Sequence, residues 1–276
     1  MEPALQKRVQ RYGWDKAASH YENTWQRQLK PAHDNLFDFA NIQQGQKIID
    51  IACGTGLISF RAAAAAGSEG FVLGTDISDK MIEIADKTAK ENIISNIRFE
   101  RMDAEDLKIN DEEFDVAICA LGLMYTPSPV NALKEIYRVL KKGGICVAAV
   151  WGKRDNCGWA DIFEIVDKRV SSEVCPMFFN LGNDKVLEKN FELAGFSTVK
   201  IKRIQSFLEY DTDEAACAAA FEGGPVALAY FKFPENIQKE ACEEYIDSIE
   251  KYKTEKGYSV PGEFIIGFGI KFHAEL

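Results

Sequence analysis

Through residues 47–151 of this chain, short apolar runs alternate with segments of helical pattern, and no other feature restricts the fold as much. The runs are Lys47–Ile51, Phe71–Asp76, 97–102, 114–119 and 145–151, apolar along most of their length rather than at alternate positions. Strands of that kind are buried on both faces, which requires a parallel sheet with helices packed on each side. Between them, Leu57–Ala66 holds five consecutive alanines at 62–66, a strong helix former. A second helix starts near Ser78 or Asp79 and carries Met81, Ile82, Ala85 and Thr88 on one face. Ser128-Pro129 supplies a cap and a first-turn proline for a third, with Ala132, Leu133, Ile136 and Val139 inward. Its stop is read at Lys141-Lys142-Gly143-Gly144, a cationic last turn followed by glycine.

Beyond residue 151 the pattern loosens. Trp159, Ile162, Phe163, Val166 and Val170 form a helical stripe, and a further helix runs to Ala194-Gly195-Phe196. Val199 and Ile201 alternate with lysines in a strand, and Phe264, Ile266, Phe268, Ile270 and Phe272 form an alternating stripe in the last one. The long helical stretch between these strands, about 212–260, breaks at Gly223-Gly224-Pro225 and near Pro234. Connections of that length are usually lids or binding elements. Phe178-Phe179 reads as core ahead of an aromatic box, and Glu222-Gly223-Gly224-Pro225 as a helix break first and a substrate loop second.

At 276 residues, 46% of them hydrophobic, the chain can fill the core of one elaborated domain. No apolar run spans a bilayer and no secretory h-region opens the chain, so integral membrane contact is not expected. The net charge of −10 argues against nucleic acid as a partner. Seven cysteines, an odd count with two inside apolar runs, read as reduced thiols in cytoplasm. No C-x-x-C pair occurs and His20, His33 and His273 lack ligand spacing, so no metal site is expected.

The chemistry concentrates in Asp50-Ile51-Ala52-Cys53-Gly54-Thr55-Gly56, directly after a strand and opening a helix. Glycines there let the backbone approach a ligand and turn into the helix N-terminus. Asp76 ends the second strand, where doubly wound folds place the carboxylate that grips a ribose. A dinucleotide fingerprint needs a third glycine, and this chain has Ser59 there. Asp50 would repel a pyrophosphate but attract an ammonium, which points to a ribose-bearing cofactor with a cationic amino-acid end, S-adenosyl-L-methionine. Cys53 reads as a small loop residue.

These motifs, with Gly74-Thr75-Asp76-Ile77-Ser78, Met102-Asp103-Ala104-Glu105-Asp106-Leu107, Phe114-Asp115-Val116 and Arg138-Val139-Leu140-Lys141-Lys142-Gly143-Gly144, resemble the class I S-adenosylmethionine-dependent methyltransferases. The likeness is greatest to the broad group holding the ubiquinone/menaquinone C-methyltransferases and many small-molecule methyltransferases, and it covers residues 45–151. It implies a Rossmann-like, doubly wound, mostly parallel seven-stranded α/β sheet with helical cap insertions. The implied division is a helical cap at 1–36, a cofactor-binding half at 37–151, and a C-terminal half at 152–276 carrying the insertion. By position, Ala52, Gly54 and Gly56 floor the methionine end, with Asp50 reaching its ammonium directly or through water. Asp76 takes the ribose, Ile77 and Met81 the adenine faces, Asp103 and Ala104 the adenine edge, and Ala120 lines the methionine end. Tyr21 and Trp25 are expected to close the pocket from the N-terminal cap.

The implied reaction transfers a methyl to a small-molecule acceptor by in-line displacement and leaves S-adenosyl-L-homocysteine. The Asn/Asp-Pro-Pro-aromatic motif of amino-group methylases is missing after the fourth strand, where Ala120-Leu121-Gly122-Leu123-Met124-Tyr125 stands, and so are carboxylates for Mg²⁺. No residue stands out as a base; His20, Tyr125 and Trp151 are the candidates. Trp14, Tyr21, Trp25, Phe221, Tyr230 and Phe231 are expected to line the acceptor chamber. An NAD(P)-dependent oxidoreductase and a non-catalytic S-adenosylmethionine-binding regulator stay open as alternatives.

Overall fold

In the computed structural model, which describes residues 2–171, 175 and 177–272, the alternating runs form a single sheet. His273 and Pro176 lie outside the described residues. The chain opens with α1 (Pro3–Ala40) and then alternates β1 (Lys47–Ile51), α2 (Leu57–Ala66), β2 (Phe71–Asp76), α3 (Asp79–Glu91), β3 (Ile97–Arg101), β4 (Phe114–Ala120), α4 (Pro129–Val139) and β5 (Leu140–Trp151). The second half holds α5 (Ile162–Asp167), α6 (Val186–Leu193), β6 (Phe196–Tyr210), α7 (Asp213–Cys217), α8 (Ala227–Tyr230), α9 (Glu235–Ile249), β7 (Lys253–Thr254) and β8 (Gly257–Lys271).

The sheet order is β3-β2-β1-β4-β5-β8-β6. Neighbours among the first five strands run parallel, and β8 lies antiparallel between β5 and β6. Seven strands were expected; the eighth is the two-residue β7, which pairs with the start of β8. Central strands are closed to solvent, with Ile48, Ile49, Ile51, Ala117, Ile118, Val147 and Ala148 all fully buried. Ser78 and Ser128 cap α3 and α4 by accepting the backbone N–H groups of Met81 and Asn131.

Three boundaries differ from the pattern reading. Helix α4 stops at Val139, and Lys141-Lys142-Gly143-Gly144 is already strand rather than a last helical turn. Leu140 pairs with Phe114 and fixes the backbone as extended, while the Lys141 ammonium sits 2.7 Å from Asp115. The helical insertion ends by Tyr252, so residues 253–260, expected within it, belong to the β7–β8 strands. The terminal stripe is no half-exposed strand either. Because β8 lies inside the sheet, Phe264, Ile265 and Ile266 are all buried, and Phe272 falls beyond it, exposed.

Helix α1 runs past the expected limit of 36 and carries Pro31 internally without ending. Its C-terminal half is anchored by buried Leu29, Ala32, Leu36 and Ala40. Gln28 pairs with the free edge of β6, donating to the Glu209 carbonyl at 2.6 Å and accepting from its N–H at 2.8 Å. An open sheet edge is thereby closed by a side chain. The N-terminal half of α1 reaches over the carboxyl ends of β1, β2 and β4, where strand order reverses and doubly wound sheets open a crevice.

Candidate active site

The crevice is a cleft of about 740 Å³ built on the loops that follow β1, β2 and β4. Its floor depends on unusual backbone: Ala52, Gly54 and Gly56 all have positive φ, at 56°, 56° and 93°. Only glycine adopts that region freely, so Ala52 stores strain at the floor. Gly56 caps α2, and a Cβ there would stand 2.8 Å from the Phe60 ring. Asp76 closes the loop from the neighbouring strand, its carboxylate accepting the Gly54 N–H at 2.9 Å and the Ser78 N–H at 2.8 Å. Ala52 and Gly54 line the cleft beside Asp76, Ile77 and Met81, and Asp103, Ala104 and Ala120 complete the same wall.

Burial sets the electrostatics. Desolvation pushes the Asp50 carboxyl up to about 7, against the hydrogen bond from Ser59, and the Asp76 charge adds to it. Asp76 itself rises to about 6, again chiefly by burial, although the Ser78 and Gly54 amides pull it down. Asp50 lies beneath the loop rather than on the cleft wall. Its Oδ2 accepts the Ser59 hydroxyl at 2.5 Å, and its fully buried Oδ1 has no partner among the described residues. Two buried carboxylates that resist ionisation favour a cation brought beside them. Burial also raises the Cys53 thiol well above its ordinary value, which leaves it inert in the loop.

Helix α1 supplies the outer wall through Lys7, Gln10, Trp14 and Tyr21. Lys7 bridges Asp103, at 2.7 Å, and Glu105. Asp15 accepts the Ser78 hydroxyl at 2.7 Å and the Lys80 N–H at 3.0 Å, and Arg11 bonds Asp79, so α1 is tied to the start of α3.

A second cavity, about 330 Å³, adjoins the first and shares Trp14, Tyr21, Leu121 and Tyr125 with it. Its remaining walls are Trp25, Trp151, Trp159 and Phe178, with Leu29 beneath and Gly224-Pro225 at one end. Trp14 stands edge-on to Tyr21 and Tyr125, with centroids 5.8 and 5.2 Å away, so the three rings form the partition. Burial holds both tyrosine hydroxyls above their ordinary range, so they serve as hydrogen-bond donors rather than bases. No ionisable acid or base other than these phenols lines this cavity among the described residues.

The cleft thus gathers most of the predicted cofactor residues, and five candidates fall elsewhere. Trp25 walls the aromatic cavity, not the cofactor cleft, because it sits one turn beyond Tyr21 on α1, past the partition. Gly56 and Asp50 shape the loop from behind. Trp151 walls the aromatic cavity, its ring tilted against that of Trp159 with centroids 4.6 Å apart. His20 faces outward, its Nδ1 3.1 Å from Glu222, away from both cavities. Phe221 and Tyr230 stack on each other at 4.8 Å inside the insertion, and Phe231 lies partly exposed, so none of the three lines the chamber. Phe178, read as core ahead of an aromatic box, is a wall. Tyr125, a candidate, does line both cavities, whereas sequence reasoning missed Lys7, Gln10, Met102, Leu121, Gly122, Thr126 and Pro127. Leu121 has φ 62°, a strain that no sequence signal announces.

Comparison with known proteins matches a family described as methyltransferase domain to residues 42–190, just over half of the chain. A demethylmenaquinone methyltransferase of Staphylococcus carnosus is 31% identical over 175 residues, covering 58% of this chain and 72% of the relative. Among solved structures, the YcgJ protein from Bacillus subtilis superposes with a TM-score of 0.63 at 17% identity, covering 89% of this chain and 100% of that one. Haemonchus contortus phosphoethanolamine N-methyltransferase 2, solved with phosphomonomethylethanolamine and S-adenosylhomocysteine, gives 0.62 at 18% identity over 94% of this chain and 58% of its own. These last two likenesses concern the fold. An NAD(P)-dependent oxidoreductase and a non-catalytic regulator gain no support from the matches.

Proposed function

Because the chain belongs to the methyltransferase-domain family and transfers methyl from S-adenosylmethionine to a small-molecule acceptor, we propose that it does so across the Trp14–Tyr21–Tyr125 partition, from the cleft into the aromatic chamber. The observation that carries this reading is the wall shared by the two cavities. Asp76 would hold the ribose, Ile77 and Met81 the adenine faces, and Asp103 with Ala104 its edge. Ala52, Gly54 and Ala120 would receive the methionine end, with Asp50 and Asp76 offsetting its ammonium. The buried Asp50 Oδ1 and the tight Ala52–Gly54 floor fit such a group. When bound, S-adenosylmethionine supplies a methyl already activated by its sulfonium for in-line displacement, and S-adenosylhomocysteine leaves.

The protein's own part is then positioning and exclusion of water. The rings of Trp14, Tyr21 and Tyr125 surround the crossing point, and their faces favour a sulfonium's positive charge. With no carboxylate, ammonium or imidazole on the chamber wall, the acceptor is a neutral, largely apolar ring compound that supplies its own nucleophilic atom. Demethylmenaquinone, the acceptor in the Staphylococcus carnosus relative's name, is one such compound in its reduced, hydroquinone form, whose electron-rich ring carbon is the nucleophile. The N-terminal half of α1 acts as the cap, residues 37–151 hold the cofactor, and the insertion roofs the chamber through Gly224-Pro225. α1 and that roof lie outside residues 42–190, the part that matches the family. A polyanionic nucleic acid is disfavoured by a net charge of −10. An odd count of seven cysteines supports a reducing, cytoplasmic setting for the reaction, and no helix among the described residues is long and apolar enough to cross a membrane.

The test is S-adenosylhomocysteine formation over a panel of neutral ring acceptors, demethylmenaquinone reduced with dithionite to its hydroquinone included, set against amines and carboxylic acids. Turnover confined to the ring compounds is expected, and Tyr125→Ala should lower kcat/KM by about tenfold or more through lost alignment. Turnover confined to the charged acceptors would overturn the chamber assignment.

A further inference from the structure

We infer that the Trp25 indole N–H is the hydrogen-bond donor that selects and orients the acceptor, and that it takes a carbonyl or phenolic oxygen on a neutral planar ring. The inference rests on the chamber reading above and adds the group that the chamber recognises. Trp25 is only 4% exposed, and its Nε1 is fully buried without a hydrogen-bond partner among the described residues. Buried N–H groups almost always find an acceptor, and one left without a protein partner beside a cavity calls for one from a ligand. Trp159 Nε1 is also unpartnered, but it faces Gly262 of β8, 4.0 Å from the place a Cβ would take there. Gly262 is not a chamber wall. Trp25 Nε1, by contrast, lies 3.7 Å from the corresponding position on Gly224, which is one.

That contact explains the break at Glu222-Gly223-Gly224-Pro225. A Cβ on Gly223 would stand 2.0 Å from Thr24 Oγ1, so a glycine is needed for the loop to lie against α1 at this point. Gly224 then keeps side-chain bulk away from the indole nitrogen, and Pro225, which has no N–H to offer, closes the end of the cavity. The surrounding rings hold the indole in place: Trp151 and Trp159 meet it edge-on, with centroids 6.1 and 6.0 Å away.

Position sets the regiochemistry. Trp25 belongs to the chamber but not to the cleft, whereas the methyl crosses at Trp14, Tyr21 and Tyr125. An oxygen held at Trp25 is therefore turned away from the crossing point, and the methylated atom is a different one on the same ring. The new bond forms at that atom as the methyl–sulfur bond breaks, and the proton it loses leaves with solvent.

The test uses two probes that differ only by an oxygen, 1-tetralone and tetralin, titrated calorimetrically into protein saturated with S-adenosylhomocysteine. Wild type should bind 1-tetralone about tenfold more tightly, the scale of one buried hydrogen bond. Trp25→Phe should abolish that preference, with the affinities for tetralin and S-adenosylhomocysteine unchanged. Independently of any variant, one of the four tryptophan indole N–H signals of ¹⁵N-labelled wild type should move downfield with 1-tetralone and not with tetralin. Equal binding of the two probes by wild type, a preference kept in Trp25→Phe, or an unmoved indole signal overturns the role of Trp25 and leaves the chamber standing. If S-adenosylhomocysteine binds but neither probe does, the chamber reading falls and this inference with it.

Discussion

Asp76 is held before any ligand arrives. Its two backbone donors, at 2.9 and 2.8 Å, fix the carboxylate at the end of β2 and leave its outer lone pairs for a ribose. Asp76→Ala should weaken S-adenosylmethionine binding by about 1.5–3 kcal/mol, the worth of a charge-assisted pair of bonds. Calorimetry finding unchanged affinity in the folded variant would remove the residue from the site. Asp50 makes a different prediction, through pH. Its carboxyl sits at about 7 in the folded chain against an ordinary 3.8, because burial penalises the charge. A raised folded value means that its contribution to stability is complete below 3.8 and lost as pH rises through about 7. Asp50→Asn lacks this titration, so ligand-free wild type should lose stability relative to the variant between pH 4 and pH 7. Urea unfolding across that range checks the sign; a difference independent of pH would mean that Asp50 is charged throughout.

At the level of elements, α1 is one helix with two kinds of attachment. From Leu29 to Ala40 it is buried in the core, whereas before Tyr21 it is held largely by polar pairs such as Lys7–Asp103 and Asp15–Ser78. Polar pairs near the surface contribute roughly 0–1 kcal/mol each, and the small buried side chains Ala17 and Ala18 add little apolar area, so the first five turns should release without unfolding the rest. Hydrogen exchange should be faster in residues 3–21 than in 25–40 without ligand, and slow when cofactor and acceptor bind. Uniform protection along the helix would make it a fixed wall, with the acceptor admitted elsewhere. None of this division is visible in the 38 residues themselves, whose helical pattern is continuous through Pro31. The cofactor cleft was legible because its chemistry is local. Asp50, Gly54 and Asp76 fall at strand ends, and strand ends announce themselves by apolar runs and glycines. The aromatic chamber was legible only in part: Trp14, Tyr21 and Trp25 were expected on its wall and Trp151 was a candidate, but Trp159, Phe178 and Gly224 come from distant segments that look the same whether they fill a core or wall a cavity. Phe221 and Tyr230 show the ambiguity from the other side, being aromatic and in the insertion, yet spent on each other.

Across the whole molecule, the reversal of strand order between β1 and β4 opens the cleft, and the antiparallel β8 carries the insertion back over its aromatic side. The proposed function has cofactor and acceptor approach from opposite sides of one partition, and that arrangement is open to a direct test. S-adenosylmethionine carrying a ¹³C-labelled methyl group, bound to the protein, should give nuclear Overhauser contacts from that methyl to the ring protons of Tyr21 and Tyr125. Contacts confined to Lys7, Met102 and Asp103, at the other end of the cleft, would reverse the cofactor and contradict transfer into the chamber.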